Sequence, residues 1–179
     1  MEWTNEVNAK IKRKNQILFS KGSPLLQELN QLVTLQSHRT LILWALELAE
    51  EAVQQLKSEY PQESRPTEAL EISRLWAKGI VKMPEAQKKI LRCHAMAKEL
   101  DSPVNIALCH AVGQACGVVH APGHAMGFPA YELTALVRKY GLESGRQIIE
   151  KRNQEYLQRL KYWEQHEEDY PGPWAKFLQ

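Results

Sequence analysis

Three histidines, one cysteine and four glycines fall within residues 110–127, which read HAVGQACGVVHAPGHAMG. Imidazole and thiolate groups bind zinc, and they also act as general bases and nucleophiles. If the segment is helical, Cys116 and His120 lie one turn apart on the same face, and His124 follows just beyond a proline. These three residues are therefore the candidate ligands of a metal site, or the polar groups of a small-ligand pocket.

Close helix packing explains the same segment without a ligand. Gly113 and Gly117 are also one turn apart, so a neighbouring helix could approach closely, with cysteine packing as a small apolar residue and buried histidines hydrogen-bonded. The sequence has no HExxH, no paired CxxC and no spaced carboxylate ligands. Packing is therefore the favoured interpretation, and no cofactor is predicted. His110 and Gln114, on an adjacent face, either bond each other or line a pocket.

Nucleophilic catalysis finds little support in the sequence. Cys93 and His94 are adjacent, and neighbouring residues on a helix point about 100° apart, so they cannot pair directly. The chain also contains no G-x-S-x-G motif and no glycine-rich phosphate loop. We therefore predict that the protein is not an enzyme.

Helical signals account for most of the chain, and no stretch reads as a run of strands. Proline starts, glycine stops and apolar spacings of three and four predict helices at 24–36, 38–60, 65–79, 84–100, 103–120, 129–140 and 143–168. Pro122 and Gly123 are expected to break or kink the fifth of these. The predicted fold is all-α: a multi-helix bundle with short connections and a kinked, histidine-rich central helix.

The length of 179 residues suits one domain, predicted to span residues 1–179. Residues 1–22 are expected to form a basic N-terminal arm, because four cations cluster at Lys10, Lys12, Arg13 and Lys14. Residues 169–179 are expected to form an irregular C-terminal tail.

The composition of the chain argues against some classes of partner. The net charge is only +2 and no strong basic face is evident, so nucleic acid is not expected as a partner. The most apolar stretch, 104–119, contains Asn105, His110 and Gln114, which suits a buried helix better than a membrane span. Three cysteines without CxxC argue against a disulfide framework, and the N-terminus lacks signal-peptide features. A reducing cytoplasm is the expected location.

Three stretches taken together carry a family resemblance: HRTLILWALELAEEAV (38–53), RPTEALEISRLWAKG (65–79) and ACGVVHAPGHAMGFPAY (115–131). They resemble the immunity-5-like family of bacterial immunity proteins, which is associated with polymorphic toxin and bacteriocin systems. The resemblance spans roughly residues 37–140. The matching positions are Arg39, Leu41, Trp44, Ala45, Arg65, Pro66, Ala69, Leu70, Glu71, Arg74, Trp76, Gly79, His120, Pro122, His124, Ala125 and Gly127.

The resemblance implies an all-helical cytoplasmic protein that binds and blocks a cognate protein toxin, and it supplies no catalytic residues. It also gives weight to a polar cluster between helices. In that cluster Arg39, Glu71 and Arg74 would join His120 and His124, either as structural partners or as the lining of a pocket.

A protein inhibitor is expected to expose aromatic side chains to its partner. The candidates are Tyr156, Tyr162, Trp163 and Trp174. Because the chain is slightly basic, a basic nuclease is not the expected target. Two alternatives stay open: a metal-dependent enzyme or small-ligand binder using the histidine and cysteine residues, and a helical peptide-binding scaffold, which the lack of internal repeats disfavours. The charged last helix also leaves a homo-oligomer open.

Overall fold

The computed structural model describes residues 2–179. Within that range it contains eight α-helices, five short 3₁₀ turns and no strand, so the all-α prediction is confirmed. The helices are α1 (Trp3–Lys12), α2 (Gln27–Thr34), α3 (His38–Glu59), α4 (Arg65–Ala77), α5 (Met83–Met96), α6 (Pro103–Gly117), α7 (Gly127–Tyr140) and α8 (Arg146–His166).

Helix α6 is the centre of the bundle. It packs against α3, α4, α5 and α7, and its most extensive contact is with α7. Ala107, Ala111, Val112 and Ala115 are all buried, so the helix is enclosed on several sides. A helix that is apolar around most of its circumference must be covered in this way. The longer helix α3 lies beside it and is capped by Ser37, whose side chain accepts a hydrogen bond from the Thr40 backbone N–H.

The predicted kinked histidine-rich helix is replaced by two separate helices. α6 ends at Gly117, and the backbone N–H groups of Val118 and His120 bond carbonyls three residues earlier. Ala121 is extended, with φ −144° and ψ 126°. A residue before proline is forced out of the helical region, so Pro122 ends the segment rather than bending it. His120 and His124 consequently lie on a turn beyond the helix.

The N-terminal residues are docked against the bundle, unlike the arm expected from the charge count. Trp3 and Val7 are buried in α1, and Leu18 and Phe19 are buried beyond it. The indole Nε1 of Trp3 donates to Glu150 on α8 at 3.0 Å. Trp3 and Val7 are four residues apart and form one apolar face. The cationic side chains of residues 12–14 remain exposed.

The tail is irregular apart from the turn Lys176–Leu178, yet it is held in place. The backbone N–H of Ala175 donates to the Ala77 carbonyl at 2.8 Å. The guanidinium Nε of Arg39 donates to the Leu178 carbonyl at 2.6 Å. Ala175 and Leu178 are buried, so the tail completes the surface beside the end of α4. Among residues 2–179, no helix combines the length and apolar character needed to cross a membrane.

Candidate functional site

A cavity of about 180 Å³ opens where α4, α5, α6 and the turn Pro122–His124 meet. We call it the histidine pocket. Its polar lining comes from Gln87, His94, Gln114, His120 and His124, and its apolar side includes Trp76 and Met83. Trp76 belongs to the second stretch of the family resemblance, and His120 and His124 belong to the third. Folding therefore brings two of those stretches together at one place.

Glycines in α6 make room for imidazole rings, not for a neighbouring helix backbone. A Cβ atom at Gly113 would collide with the ring of His94, and one at Gly117 would lie 3.1 Å from the ring of His124. The packing interpretation is thus correct that these glycines allow close approach. The approaching groups, however, are side chains that line the pocket.

His94 and His110 form a pair across α5 and α6. Their Nδ1 atoms are 2.9 Å apart, so one ring donates and the other accepts, and the accepting nitrogen cannot be protonated without breaking the bond. Burial, followed by the proximity of His110 and His124, lowers the pKa of His94 to about 4. Burial also lowers the pKa of His110. His110 points away from the pocket and packs on Tyr131, with ring centroids 5.1 Å apart.

His124 is oriented by Gln114 and not free to rotate. Its Nδ1 lies 2.9 Å from Oε1 of Gln114. An amide oxygen only accepts, so Nδ1 carries the proton and Nε2 is the accepting nitrogen of the neutral ring. Of the two alternatives for His110 and Gln114, the mutual hydrogen bond does not form, and Gln114 lines the pocket. Gln114 itself lies against Gly127, where a Cβ would come within 2.7 Å of its Cγ. His120 is exposed, and its ring stacks on that of Trp76 with the ring centroids 6.1 Å apart.

The alternative ligand set of Cys116, His120 and His124 is not assembled. The Cys116 thiol is buried and donates to the Ala69 carbonyl on α4 at 3.4 Å. Burial raises its pKa to about 12, which keeps the thiol protonated. No group of three or more His, Cys, Asp or Glu within residues 2–179 is arranged to hold a metal ion. Because α6 ends before His120, the spacing of four does not align the two side chains.

The predicted polar cluster divides between separate faces. Arg39 lies under the tail, 5.3 Å from the ring of Trp174. Arg74 pairs with Glu50 on α3 at 3.0 Å, while Glu71 is exposed. None of these three residues lines the histidine pocket. Of the five proposed members, only His120 and His124 meet there.

Tyr156 is wrong as a partner-surface residue because it is fully buried. Its hydroxyl donates to the Glu132 carboxylate. The same carboxylate accepts two bonds from Arg152, at 2.9 and 3.0 Å. This arrangement is a buried structural network between α7 and α8, and it leaves no group available to a partner.

The other aromatic candidates differ in availability. Tyr162 is 49% exposed and stacks on His166. Trp163 is half-buried, and its Nε1 donates to Glu47 at 2.7 Å. Trp174 is half-buried as well. Trp163 and Trp174 line a second cavity of about 270 Å³, the tail cavity, together with Glu47, Glu50, Arg74 and Lys78.

Sequence reasoning missed a cavity of about 610 Å³ that continues from the histidine pocket. The two share Trp76, Met83 and His120. We call this third cavity the apolar groove; it also contains Val81, Lys82, Ala175, Lys176 and Phe177. The available signal was IVKM at 80–83, an apolar run immediately after the glycine that ends α4. Its significance depends on the tail folding back beside it.

Comparison with known proteins agrees with the resemblance seen in the sequence. The family model described as Imm-5 like putative immunity protein matches residues 31–159, which is more than two thirds of the chain. No curated protein and no solved structure matches. The matched segment includes the whole helical lining of the histidine pocket, from Trp76 to His124. The chain therefore belongs to the Imm-5 like immunity protein family.

Proposed function

We propose that this protein is an immunity protein that binds a cognate toxin in a stoichiometric complex and blocks it sterically, without turnover, in the cytoplasm of the protected cell. The observation that carries the proposal is the concentration of exposed apolar side chains around one opening. Met83, Leu91 and Phe177 line the groove or the adjoining pocket, and they are 42%, 58% and 55% exposed. A contiguous exposed apolar surface beside a cavity is typical of a protein-binding site.

The groove is better suited to a partner than the aromatic residues of α8 and the tail. Trp163 and Trp174 are already engaged within the chain by Glu47 and Arg39. Tyr162 is the one predicted aromatic that stays largely exposed, and it forms a second candidate surface. Interface hot spots are usually large side chains that lose their remaining exposure on binding. Phe177 and Met83 meet that description.

The groups in the histidine pocket support binding more than catalysis. His124 is held through Nδ1 by Gln114, and His94 is held through Nδ1 by His110. Neither ring lies against a carboxylate that would set up a general base. The three cysteine thiols are buried, so none offers an accessible nucleophile.

The test begins with native mass spectrometry of the protein purified gently from its own host. We expect a co-purifying protein at fixed stoichiometry. Expression of that partner alone should stop growth, and co-expression of this chain should restore it. The proposal would be contradicted if expression of the partner is harmless, or if no other protein co-purifies with this chain under these conditions.

Two leucine variants locate the binding face. Leu91→Asp introduces a charge beside the histidine pocket, whereas Leu35→Asp makes the same change at a residue that is 79% exposed elsewhere. We expect Leu91→Asp to weaken toxin binding about tenfold or more and Leu35→Asp to leave it nearly unchanged. If alanine at Tyr162 and Trp163 abolishes binding while Leu91→Asp does not, the interface lies on the α8 surface instead.

A further inference from the structure

The histidine pocket and the apolar groove carry only basic ionisable groups. His94, His120 and His124 are the ionisable residues that line the pocket. In the groove they are Lys82, His120 and Lys176. No aspartate or glutamate contributes to either lining. Lys82 and Lys176 therefore give this lining a positive charge at pH 7, although the whole chain has a net charge of only +2.

The two lysines of the groove are available to a partner. Lys82 and Lys176 are exposed, and neither forms an ion pair with any residue in the range 2–179. Glu85 is the nearest acidic residue along the chain, and its carboxylate accepts a bond from the backbone N–H of Lys82. Arg74, by contrast, lies in an ion pair with Glu50.

The tail cavity provides an internal comparison. Its lining has two acidic residues, Glu47 and Glu50, beside Arg74 and Lys78. Glu47 bonds Trp163, and Glu50 pairs with Arg74. That cavity is therefore nearly balanced in charge and satisfied internally. The groove and the pocket differ from the tail cavity in that no carboxylate contributes to their lining.

The apolar surface adds a second requirement. Trp76, Val81, Met83 and Phe177 form much of the groove, and the adjoining pocket holds about 180 Å³. An engineered protein cavity of about 150 Å³ is large enough to bind benzene. The pocket can thus accept one aromatic or branched aliphatic side chain. A small anion would fill neither the apolar surface nor this volume.

We infer that the occupant of the groove is an acidic, apolar segment of the toxin, which places one large apolar side chain in the histidine pocket and carboxylates against Lys82 and Lys176. The inference rests on the proposed function and specifies the chemistry of its partner. Opposite charges on the two surfaces would also accelerate association, and added salt would slow it.

The first experiment needs no toxin. Two synthetic peptides carry identical leucine and phenylalanine residues, with glutamate at the polar positions of one and lysine at those of the other. Fluorescence anisotropy measures their binding to the full-length protein. We expect the glutamate peptide to bind about tenfold or more tightly than the lysine peptide, with an advantage that shrinks as salt rises.

Matched charge reversals identify the site. The double variant Lys82→Glu/Lys176→Glu should weaken binding of the glutamate peptide about tenfold or more. Lys12→Glu/Lys21→Glu makes the same change in net charge at two exposed lysines outside the groove, and it should preserve binding within about twofold. Equal binding of the two peptides, no binding of either, or equal losses in both variants would overturn the inference.

The captured toxin separates this inference from the proposed function. A toxin that binds and is neutralised equally by the wild type and by Lys82→Glu/Lys176→Glu would refute the acidic-segment inference and leave the immunity function standing. If no toxic partner exists, the proposed function fails. The peptide comparison then still decides whether the groove selects acidic, apolar sequences.

Discussion

The imidazole ring of His94 lies directly over the backbone of Gly113. An added Cβ would collide with the ring, and even the Cδ2 atom would be only 2.8 Å away. His94 cannot move without losing its 2.9 Å bond to His110. The absent side chain at position 113 therefore determines where one wall of the histidine pocket stands.

Gly113→Ala should lower the free energy of unfolding by about 1 to 3 kcal/mol, because the strain of overpacking exceeds the gain in helix propensity. Urea denaturation measures the change. Gly117→Ala is the milder comparison, since its Cβ would be 3.1 Å from His124. Combining Gly113→Ala with His94→Ala should recover part of the loss. If Gly113→Ala alone stabilises the protein, the ring is not fixed as described.

Acid should destabilise the protein through His94. Its pKa is 6.5 in the unfolded chain and about 4 in the folded protein, so the unfolded state binds more protons between these values. The contribution of neutral His94 to the stability of the folded protein is complete above pH 6.5, and it is lost as the pH falls toward 4. We expect the free energy of unfolding to decrease by about 2 kcal/mol over this window, after allowance for partial exposure.

Urea melts at several pH values measure this effect, and His94→Phe supplies the control because it keeps an aromatic ring that cannot titrate. The variant should show a flatter dependence between pH 6.5 and pH 4. An unchanged slope would assign the acid sensitivity to other groups, the first of them His110, whose pKa is also lowered by burial.

Removing one member of the network of Glu132, Arg152 and Tyr156 should lower the free energy of unfolding more than replacing its two charged members together. Glu132→Ala removes the shared partner of Arg152 and the Tyr156 hydroxyl, while Arg152 keeps its ion pairs with Glu51 and Glu155, so we expect a loss of about 2 to 3 kcal/mol in thermal or urea unfolding. Tyr156→Phe removes one donor and should cost about 1 kcal/mol. Glu132→Leu/Arg152→Met should be less damaging than Glu132→Ala. A double variant that is worse than the single would contradict this account.

Neighbouring tail residues should separate stability from binding. Leu178 is 7% exposed and Phe177 is 55% exposed. Leu178→Ala should lower stability by about 2 kcal/mol. Phe177→Ala should leave the free energy of unfolding nearly unchanged. It should weaken the binding of the toxin or of the glutamate peptide about tenfold. Parallel measurements of melting and anisotropy decide the matter, and a reversal of the two effects would place Phe177 in the core.

The sequence predicts helices well because their signals are local. Helices expected at 38–60 and 65–79 are observed at His38–Glu59 and Arg65–Ala77. Proline and glycine define such boundaries within a few residues. The end of α6 was misplaced because the turn preceding Pro122 tightens before the proline itself. The many charged residues of α8 suggest that Tyr156 is exposed. It is buried because its hydroxyl bonds Glu132 on a different helix, which the local sequence does not indicate.

The site was only partly predictable for the same reason. The histidines, glycines and Gln114 could be identified as unusual, and His120 and His124 do meet. Their pairing with His94, Trp76 and Met83 depends on how α4 and α5 pack on α6, which no local pattern specifies. The resemblance groups Arg39 and Arg74 with the histidines because all of them lie at positions that match the family, although the structure places the two arginines on the face covered by the tail.

The proposed binding face is built from two parts of the chain, the helices within the family match and the C-terminal tail beyond it. The family match ends at residue 159, so Ala175, Lys176 and Phe177 are supplied from beyond it, while Trp76 and His120 lie within it. Under the proposed function, we expect substitutions at the outward-facing tail positions to change which partner is accepted without disturbing the packing of α3 to α7. Recognition would then diversify in a short segment while the helical framework stays constant, and exchanging that segment between relatives should transfer partner preference.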